Sequence, residues 1–205
     1  MAEKRVLVVH AGRYGSTAEV AEAIAAELGL CGARVDLSPA SDEVSLDPYE
    51  AVVVGSAIYW ERPLPEATGF IERNRTVLAS KRVAYFLLCL ELTRSGEDAD
   101  RRIEVTLDPR LGHPPRDPAK LSYWERTHLV STILAPLLDA APEIQPVGVG
   151  IFRGRLDYRR LRFAHFVVLK LTWWLFRRAP EGDHRNWAAI RAWASSLCPS
   201  LLPQD

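Results

Sequence analysis

The chain has 205 residues, a length that favours one domain with a substantial buried core. Its 26 Lys and Arg residues balance 26 Asp and Glu residues, so no net positive charge attracts it to nucleic acid. Cys31, Cys89 and Cys198 are far apart and form no CxxC pair, which favours reduced thiols in the cytosol. We expect no signal peptide and no membrane span, because no apolar stretch reaches the required length of about 20 residues.

Short apolar runs alternate with segments of helical periodicity along the chain. The predicted strands cover residues 4–10, 33–37, 51–55, 82–90 and 146–152. The predicted helices cover residues 18–28, 65–78 and 186–197. This alternation predicts an α/β fold, a doubly wound parallel sheet of five strands, in a single domain over residues 1–205.

The loop after the first strand is the most informative stretch of the sequence. It precedes a helix on which Val20, Ile24 and Leu28 share one face. Amide groups at a helix N-terminus point outward without partners, and small residues allow a phosphate to approach them. We therefore predict a phosphate-binding loop made of Gly12, Arg13, Tyr14, Gly15, Ser16 and Thr17.

Two common nucleotide-binding motifs are absent from this loop. A dinucleotide-binding loop requires GxGxxG, and a Walker A loop requires a lysine after its second glycine. Asp36 lies where a ribose-binding carboxylate would be expected, but an acidic residue at a strand end is more often simply solvated. The remaining interpretations are a flavin mononucleotide phosphate loop and a tight turn in which Ser16 or Thr17 only caps the helix.

Two further loops leave the third and fourth strands at the carboxyl edge of the sheet, where open α/β sheets bind ligands. The first loop offers small residues and two aromatic faces for a flavin ring: Ser56, Ala57, Ile58, Tyr59 and Trp60. The second loop forms the opposite wall with Cys89, Leu90, Glu91 and Leu92. We expect Cys89 to be a small buried residue rather than a redox thiol, because no partner cysteine is near.

These loops resemble those of flavodoxin-domain proteins, and more narrowly those of the menaquinone-dependent protoporphyrinogen IX dehydrogenases of flavodoxin fold. Residues 14–17 are similar to the phosphate loop of that family, and residues 54–57 with 62–65 are similar to its first ring loop. Residues 154–182 resemble the segment that distinguishes these enzymes from simple flavodoxins. Residues 182–187 resemble the start of the last helix of the family.

The resemblance implies a flavodoxin-like sheet with strand order 2-1-3-4-5, FMN as the cofactor, and electron transfer from protoporphyrinogen to a membrane quinone. Gly12 and Tyr14 stand where ordinary flavodoxin loops carry hydroxyl residues, so backbone donors would have to replace them. A Pro-rich insertion at residues 106–123 is longer than expected for the family. We predict a loop, either functional or poorly ordered, between a short helix near 97–105 and a longer helix near 122–141.

Residues 158–178 predict an extra helix that is apolar on more of its surface than packing against a sheet requires. Leu161, Val168 and Leu175 belong to one apolar face, and Phe166 and Trp173 belong to a second. Basic residues lie beside these faces at Arg159, Lys170 and Arg177. This pattern suits contact with a membrane surface or a partner, and it suits equally a helix buried against the insertion or in a homo-oligomer.

The sequence thus predicts a cytoplasmic FMN-dependent oxidoreductase, peripheral at the inner face of the membrane, that acts on a porphyrinogen or similar substrate with a quinone acceptor. The flavin would supply the redox chemistry, so we predict no catalytic side chain. The five histidines have no metal-ligand spacing, and we predict no metal site. Two alternatives stay open: an electron carrier without a substrate of its own, and a degenerate domain that has lost its flavin.

Overall fold

A parallel sheet with helices on both faces organises the chain. The computed structural model describes residues 4–95, 103–157 and 181–203. The sheet contains β1 (Arg5–Ala11), β2 (Arg34–Pro39), β3 (Ala51–Tyr59), β4 (Arg62–Pro63), β5 (Arg82–Cys89), β6 (Val105–Leu107) and β7 (Gly148–Arg153). Its order is β2-β1-β3-β5-β7-β6, and β4 pairs with β3. The first five strands of this order confirm the predicted 2-1-3-4-5 arrangement.

Six helices are described, and they cover the two faces of the sheet. They are α1 (Ser16–Leu30), α2 (Pro65–Leu78), α3 (Tyr123–Thr127), α4 (Val130–Ala140), α5 (Trp187–Ser196) and α6 (Cys198–Leu201). The side chains of β1 alternate between two cores, because successive residues of a strand face opposite sides. Leu7 and Val9 pack with α2 and α4, whereas Val6 and Val8 pack with α1 and α5. Burial on both faces explains why the strands are continuously apolar.

The insertion differs from its prediction in two ways. Val105 begins an edge strand that pairs in parallel with β7, so the helix predicted near 97–105 is wrong at this end; residues 96–102 lie outside the described residues. The helix predicted near 122–141 is divided into α3 and α4. The division occurs because the carbonyl of His128 accepts a hydrogen bond of 2.9 Å from the amide of Thr93, and Leu129 is extended. A tertiary contact therefore ends α3.

A disulfide joins Cys31, which follows α1, to Cys198, which begins α6. The prediction of reduced thiols is wrong for these two residues, whereas Cys89 is free and buried as expected. Helices α1 and α5 pack on the same face, which brings the two Cα atoms to 6.3 Å despite a sequence separation of 167 residues. The cysteine count therefore gives no argument for the cytosol, and a cytoplasmic location stays a prediction.

The helix predicted over residues 158–178 lies outside the described residues. Two short strands flank that stretch in sequence: β8 (Arg155–Leu156) and β9 (Gly182–Asp183) form an antiparallel pair. Every helix in the described ranges is too short or too polar to cross a lipid bilayer.

Candidate functional site

The loop between β1 and α1 presents the start of a long helix to the carboxyl edge of the sheet. Gly15 precedes α1 with a φ of 87°, a left-handed conformation that glycine adopts without steric cost. Among the described residues no side chain caps this helix end, so the interpretation of Ser16 or Thr17 as a simple cap is wrong. The amide groups of the first turn are therefore available to an anion.

Gly12 and Thr17 fit each other closely inside this loop. A Cβ atom at Gly12 would lie 2.5 Å from Oγ1 of Thr17, which explains why a hydroxyl residue is absent from this position. Thr17 is fully buried, and its hydroxyl has no hydrogen-bond partner within the described part of the chain. A buried hydroxyl without a partner is costly, and a bound phosphate would supply the missing acceptor.

The predicted first ring loop is a hairpin rather than an open loop. β3 continues to Tyr59, and β4 returns along it with Ile58 opposite Pro63. Trp60 and Glu61 form the tip with φ angles of 51° and 65°, which are uncommon for residues other than glycine. Trp60 is 71% exposed, so its aromatic face is presented to solvent at this edge.

Ser56 has a structural role at the base of this hairpin. Its side chain is buried, and its hydroxyl oxygen accepts a hydrogen bond of 2.9 Å from the amide of Leu64. The same hydroxyl donates to the carbonyl of Ala57. Ser56 therefore holds Leu64 in place where the chain leaves the hairpin and begins α2.

The phosphate loop and the hairpin meet through their aromatic and basic side chains. The rings of Tyr14 and Tyr59 are 6.3 Å apart between centroids, and the guanidinium of Arg13 lies 5.4 Å from the Tyr59 ring. Burial, together with the neighbouring Tyr14, raises the pKa of Tyr59 to about 12, although Arg13 opposes the shift. Tyr59 is therefore neutral at pH 7 and places no charge at this edge.

The loop after β5 contributes backbone rather than side chains at two of its four predicted positions. Cys89 and Leu92 are buried in the core, and burial raises the pKa of the Cys89 thiol to about 12. Leu90 and Glu91 between them are half-buried. This loop joins the insertion, because the carbonyl of Leu92 accepts a hydrogen bond of 3.1 Å from the amide of His113.

A cavity of about 300 Å³ lies within the insertion and the first residues of α3. It is lined by His113, Arg116, Ser122, Trp124 and Glu125. The indole of Trp124 donates to the carboxylate of Glu91 at 3.4 Å and stacks on the ring of His128 at 4.1 Å. Trp124 therefore links the cavity to Glu91 of the predicted ring loop, although the sequence patterns did not predict the cavity.

Glu125 organises the wall of this cavity. Its carboxylate accepts hydrogen bonds from the amides of Ser122 and Arg116, both at 2.8 Å, and from the Ser122 hydroxyl at 2.6 Å. These hydrogen bonds, that of the hydroxyl first, lower the pKa of Glu125 to about 2. The spacing of Ser122 and Glu125 is that of a capping box, a signal that was readable in the sequence.

Arg185 is a second residue near the site that the sequence analysis did not assign. Its side chain is only 3% exposed and forms ion pairs with Glu19 at 2.7 Å and Asp183 at 2.5 Å. It also donates to the carbonyl of Ser16 at 3.3 Å. Residues 182–187 were noted by resemblance, but the contact with the phosphate loop joins residues 169 positions apart.

A doubly wound parallel sheet with an uncapped, glycine-rich turn after its first strand defines a nucleotide-binding α/β protein of flavodoxin type. The flavodoxin domain family matches residues 7–180, and the chain belongs to this family. The match confirms the predicted fold and the predicted FMN cofactor. Among curated protein sequences, no significant match was found.

Several solved structures are similar to this chain at low sequence identity. A short-chain flavodoxin associated with a non-canonical PDU bacterial microcompartment is 13% identical, with 97% of this chain and 99% of that chain covered and a TM-score of 0.52. Oxidised flavodoxin 2 from Bacillus cereus is 17% identical, with 96% and 99% covered and a TM-score of 0.49. A WrbA-like flavodoxin from Agrobacterium tumefaciens is 14% identical, with 98% of each chain covered and a TM-score of 0.47.

Proposed function

We propose that this protein is an FMN-dependent oxidoreductase that oxidises protoporphyrinogen IX, or a similar reduced substrate, with a quinone as the acceptor. The observation that carries the flavin part is the buried hydroxyl of Thr17 at the start of α1: within residues 4–95, 103–157 and 181–203 this hydroxyl has no hydrogen-bond partner and the helix start has no side-chain cap. Gly12 supports it, because this position leaves no room for a side chain beside Thr17.

The chain offers suitable groups for the phosphate and for the ring of FMN. The amide groups of the first turn of α1 and the hydroxyls of Ser16 and Thr17 would hold the phosphate. Tyr59 and Trp60 would flank the ring on one side, and the backbone from Leu90 to Glu91 would flank it on the other. When bound, FMN supplies the electron transfer, and the protein orients it and limits the access of water.

The cavity beside Glu91 is the proposed docking site for the reduced substrate. Arg116 and His113 line it and could pair with carboxylates, while the indole of Trp124 offers an apolar surface. Residues 158–178, whose sequence supplies apolar and basic side chains, would contact the membrane surface, and the protein would reach the quinone there. That segment lies outside the described residues, so this part of the proposal rests on sequence alone.

Spectroscopy and anaerobic mixing test the proposal in sequence. The purified protein, or protein incubated with FMN, should show flavin absorbance; protein that takes up no FMN would favour the degenerate domain. Anaerobic protoporphyrinogen should then bleach the bound flavin, and menaquinone should restore its absorbance. A flavin that dithionite reduces but protoporphyrinogen does not would remove the substrate and favour an electron carrier.

A pair of variants tests the cavity as the docking site. Arg116→Met removes a cation that lines the cavity, whereas Arg110→Met removes an exposed cation from the same insertion outside its lining. We expect Arg116→Met alone to raise the protoporphyrinogen concentration needed for half-maximal bleaching, by about tenfold for a lost charge-assisted pair. If the two variants need the same protoporphyrinogen concentration for half-maximal bleaching, the substrate does not dock in this cavity.

A further inference from the structure

Arg185 is a buried cation that takes no direct part in the proposed binding of FMN or of the reduced substrate. It lies just after β9, and its guanidinium is enclosed by two carboxylates and one aromatic ring. Nη1 contacts Glu19 at 2.7 Å, Nη2 contacts Asp183 at 2.5 Å, and the guanidinium stacks 4.4 Å from the ring centroid of Trp187. Burial favours a lower pKa for Arg185, but the hydrogen bonds with Asp183 and Glu19 raise it above its ordinary value.

These contacts attach the last part of the chain to the first turn of α1. Nη1 of Arg185 also donates to the backbone carbonyl of Ser16, the first residue of that helix, at 3.3 Å. The hydrogen bond reaches the backbone that would carry the phosphate donors. Arg185 is in turn oriented by Asp183, which accepts from its Nε at 2.8 Å and from its backbone amide at 3.2 Å.

Charge balance gives Arg185 a second effect on this turn. Glu19 is the acidic residue of the first turn of α1, where a carboxylate interacts favourably with the helix dipole but repels a phosphate dianion. Arg185 pairs with Glu19 directly, and Nη1 of Arg155 lies 4.0 Å from the same carboxylate. Asp157 engages Arg155 at 3.0 Å, which leaves Arg185 as the nearer partner of Glu19.

We infer that Arg185 is a positioning residue that fixes the first turn of α1 and neutralises Glu19, so that the loop prefers FMN to the unphosphorylated flavin riboflavin. This inference rests on the proposed FMN site and adds the residue that sets its preference for the phosphate. Arg185 acts through Ser16 and Glu19.

The test measures the dissociation constants of FMN and riboflavin with the apoprotein by quenching of flavin fluorescence. For Arg185→Met we expect FMN binding to weaken about tenfold, as for a lost charge-assisted contact at a helix N-terminus, and riboflavin binding to change by less than about twofold. Arg185→Lys keeps the charge but not the paired geometry, so its dissociation constant for FMN should lie between those of wild type and Arg185→Met. Glu19→Gln in the Arg185→Met background removes the uncompensated carboxylate and should recover part of the loss.

Arg191→Met is the matched control, because Arg191 pairs with Glu27 near the opposite end of α1 at 3.6 Å and is exposed. It should leave both constants unchanged. Equal weakening of FMN and riboflavin in Arg185→Met, or no change in either, would overturn the inference. Wild-type protein that binds neither flavin would instead overturn the proposed function itself. Glu19 and Asp183 are about 40% exposed and can be hydrated in the variant, so we expect it to fold, as circular dichroism would show.

Discussion

Removing the Cys31–Cys198 disulfide should cost this protein a large part of its stability. The bond closes a loop with a sequence separation of 167 residues, which joins the end of α1 to the C-terminal helices. The chain-entropy relation gives about 5 kcal/mol for a loop of this size, at the upper end of the range of about 2–5 kcal/mol measured for native disulfides. For a chain of this length, about 5 kcal/mol corresponds to a fall in Tm of roughly 10–20 °C.

Thermal unfolding of wild type and of the Cys31→Ser/Cys198→Ser variant, each with and without a phosphine reductant, tests this estimate. Wild type should lose stability on reduction, and the double variant should be less stable from the start and insensitive to the reductant. Thiol titration of denatured wild type should find Cys89 alone before reduction and all three cysteines afterwards. The reasoning would be refuted if reduced wild type, with all three thiols shown to be free, had the same Tm as oxidised wild type.

The other predictions concern the loop, the cavity and the core. Gly12→Ala should weaken FMN binding by about tenfold or more, because the new Cβ would meet Thr17 at 2.5 Å; its control Gly29→Ala, with open space around the added Cβ, should bind as wild type. Hydrogen bonds lower the pKa of Glu125 from its ordinary 4.5 to about 2, so its stabilising effect is complete above pH 4.5 and is lost as the pH falls toward 2. The Tm difference between wild type and Glu125→Gln should therefore shrink as the pH falls from 4.5 to 2. A Tm difference that stays constant over this range would contradict the lowered pKa. Tyr85→Phe should leave the free energy of unfolding unchanged or raise it by about 1 kcal/mol in denaturant titrations, since among the described residues the buried hydroxyl has no partner; a clear loss of stability would reveal one.

Local signals in the sequence located most of the regular elements. The helix Pro65–Leu78 agrees with its prediction at both ends, because Pro65 suits the first turn of a helix and the apolar spacing continues to Leu78. The third strand was predicted to end at Gly55, yet it continues to Tyr59. The extra residues pair with β4, and this hairpin depends on left-handed backbone at Trp60 and Glu61, which those residue types do not signal.

Contacts between distant residues account for what the sequence did not reveal. The break between α3 and α4 depends on a hydrogen bond from Thr93, the disulfide depends on the packing of α1 against α5, and the position of Arg185 depends on the pairing of β8 with β9. At the candidate site the loops were found because parallel strands end at one edge. The cavity was not predicted because it forms where the insertion, which has no periodic signal, packs against the start of α3.

Helix α1 is attached to the C-terminal part of the chain at both of its ends, through Arg185 at the first turn and through Cys198 at the last. The 15-residue helix separates these attachments by about 22 Å. An intact helix should therefore let the two attachments act independently on flavin binding. Arg185→Met removes a buried, ion-paired cation, so it should lower Tm as well as change the preference for FMN. Loss of the disulfide should lower Tm with little effect on FMN affinity at low temperature. Measuring both quantities on both variants decides the matter, because a disulfide variant that loses phosphate preference as strongly as Arg185→Met would mean that α1 does not stay ordered once its C-terminal end is released.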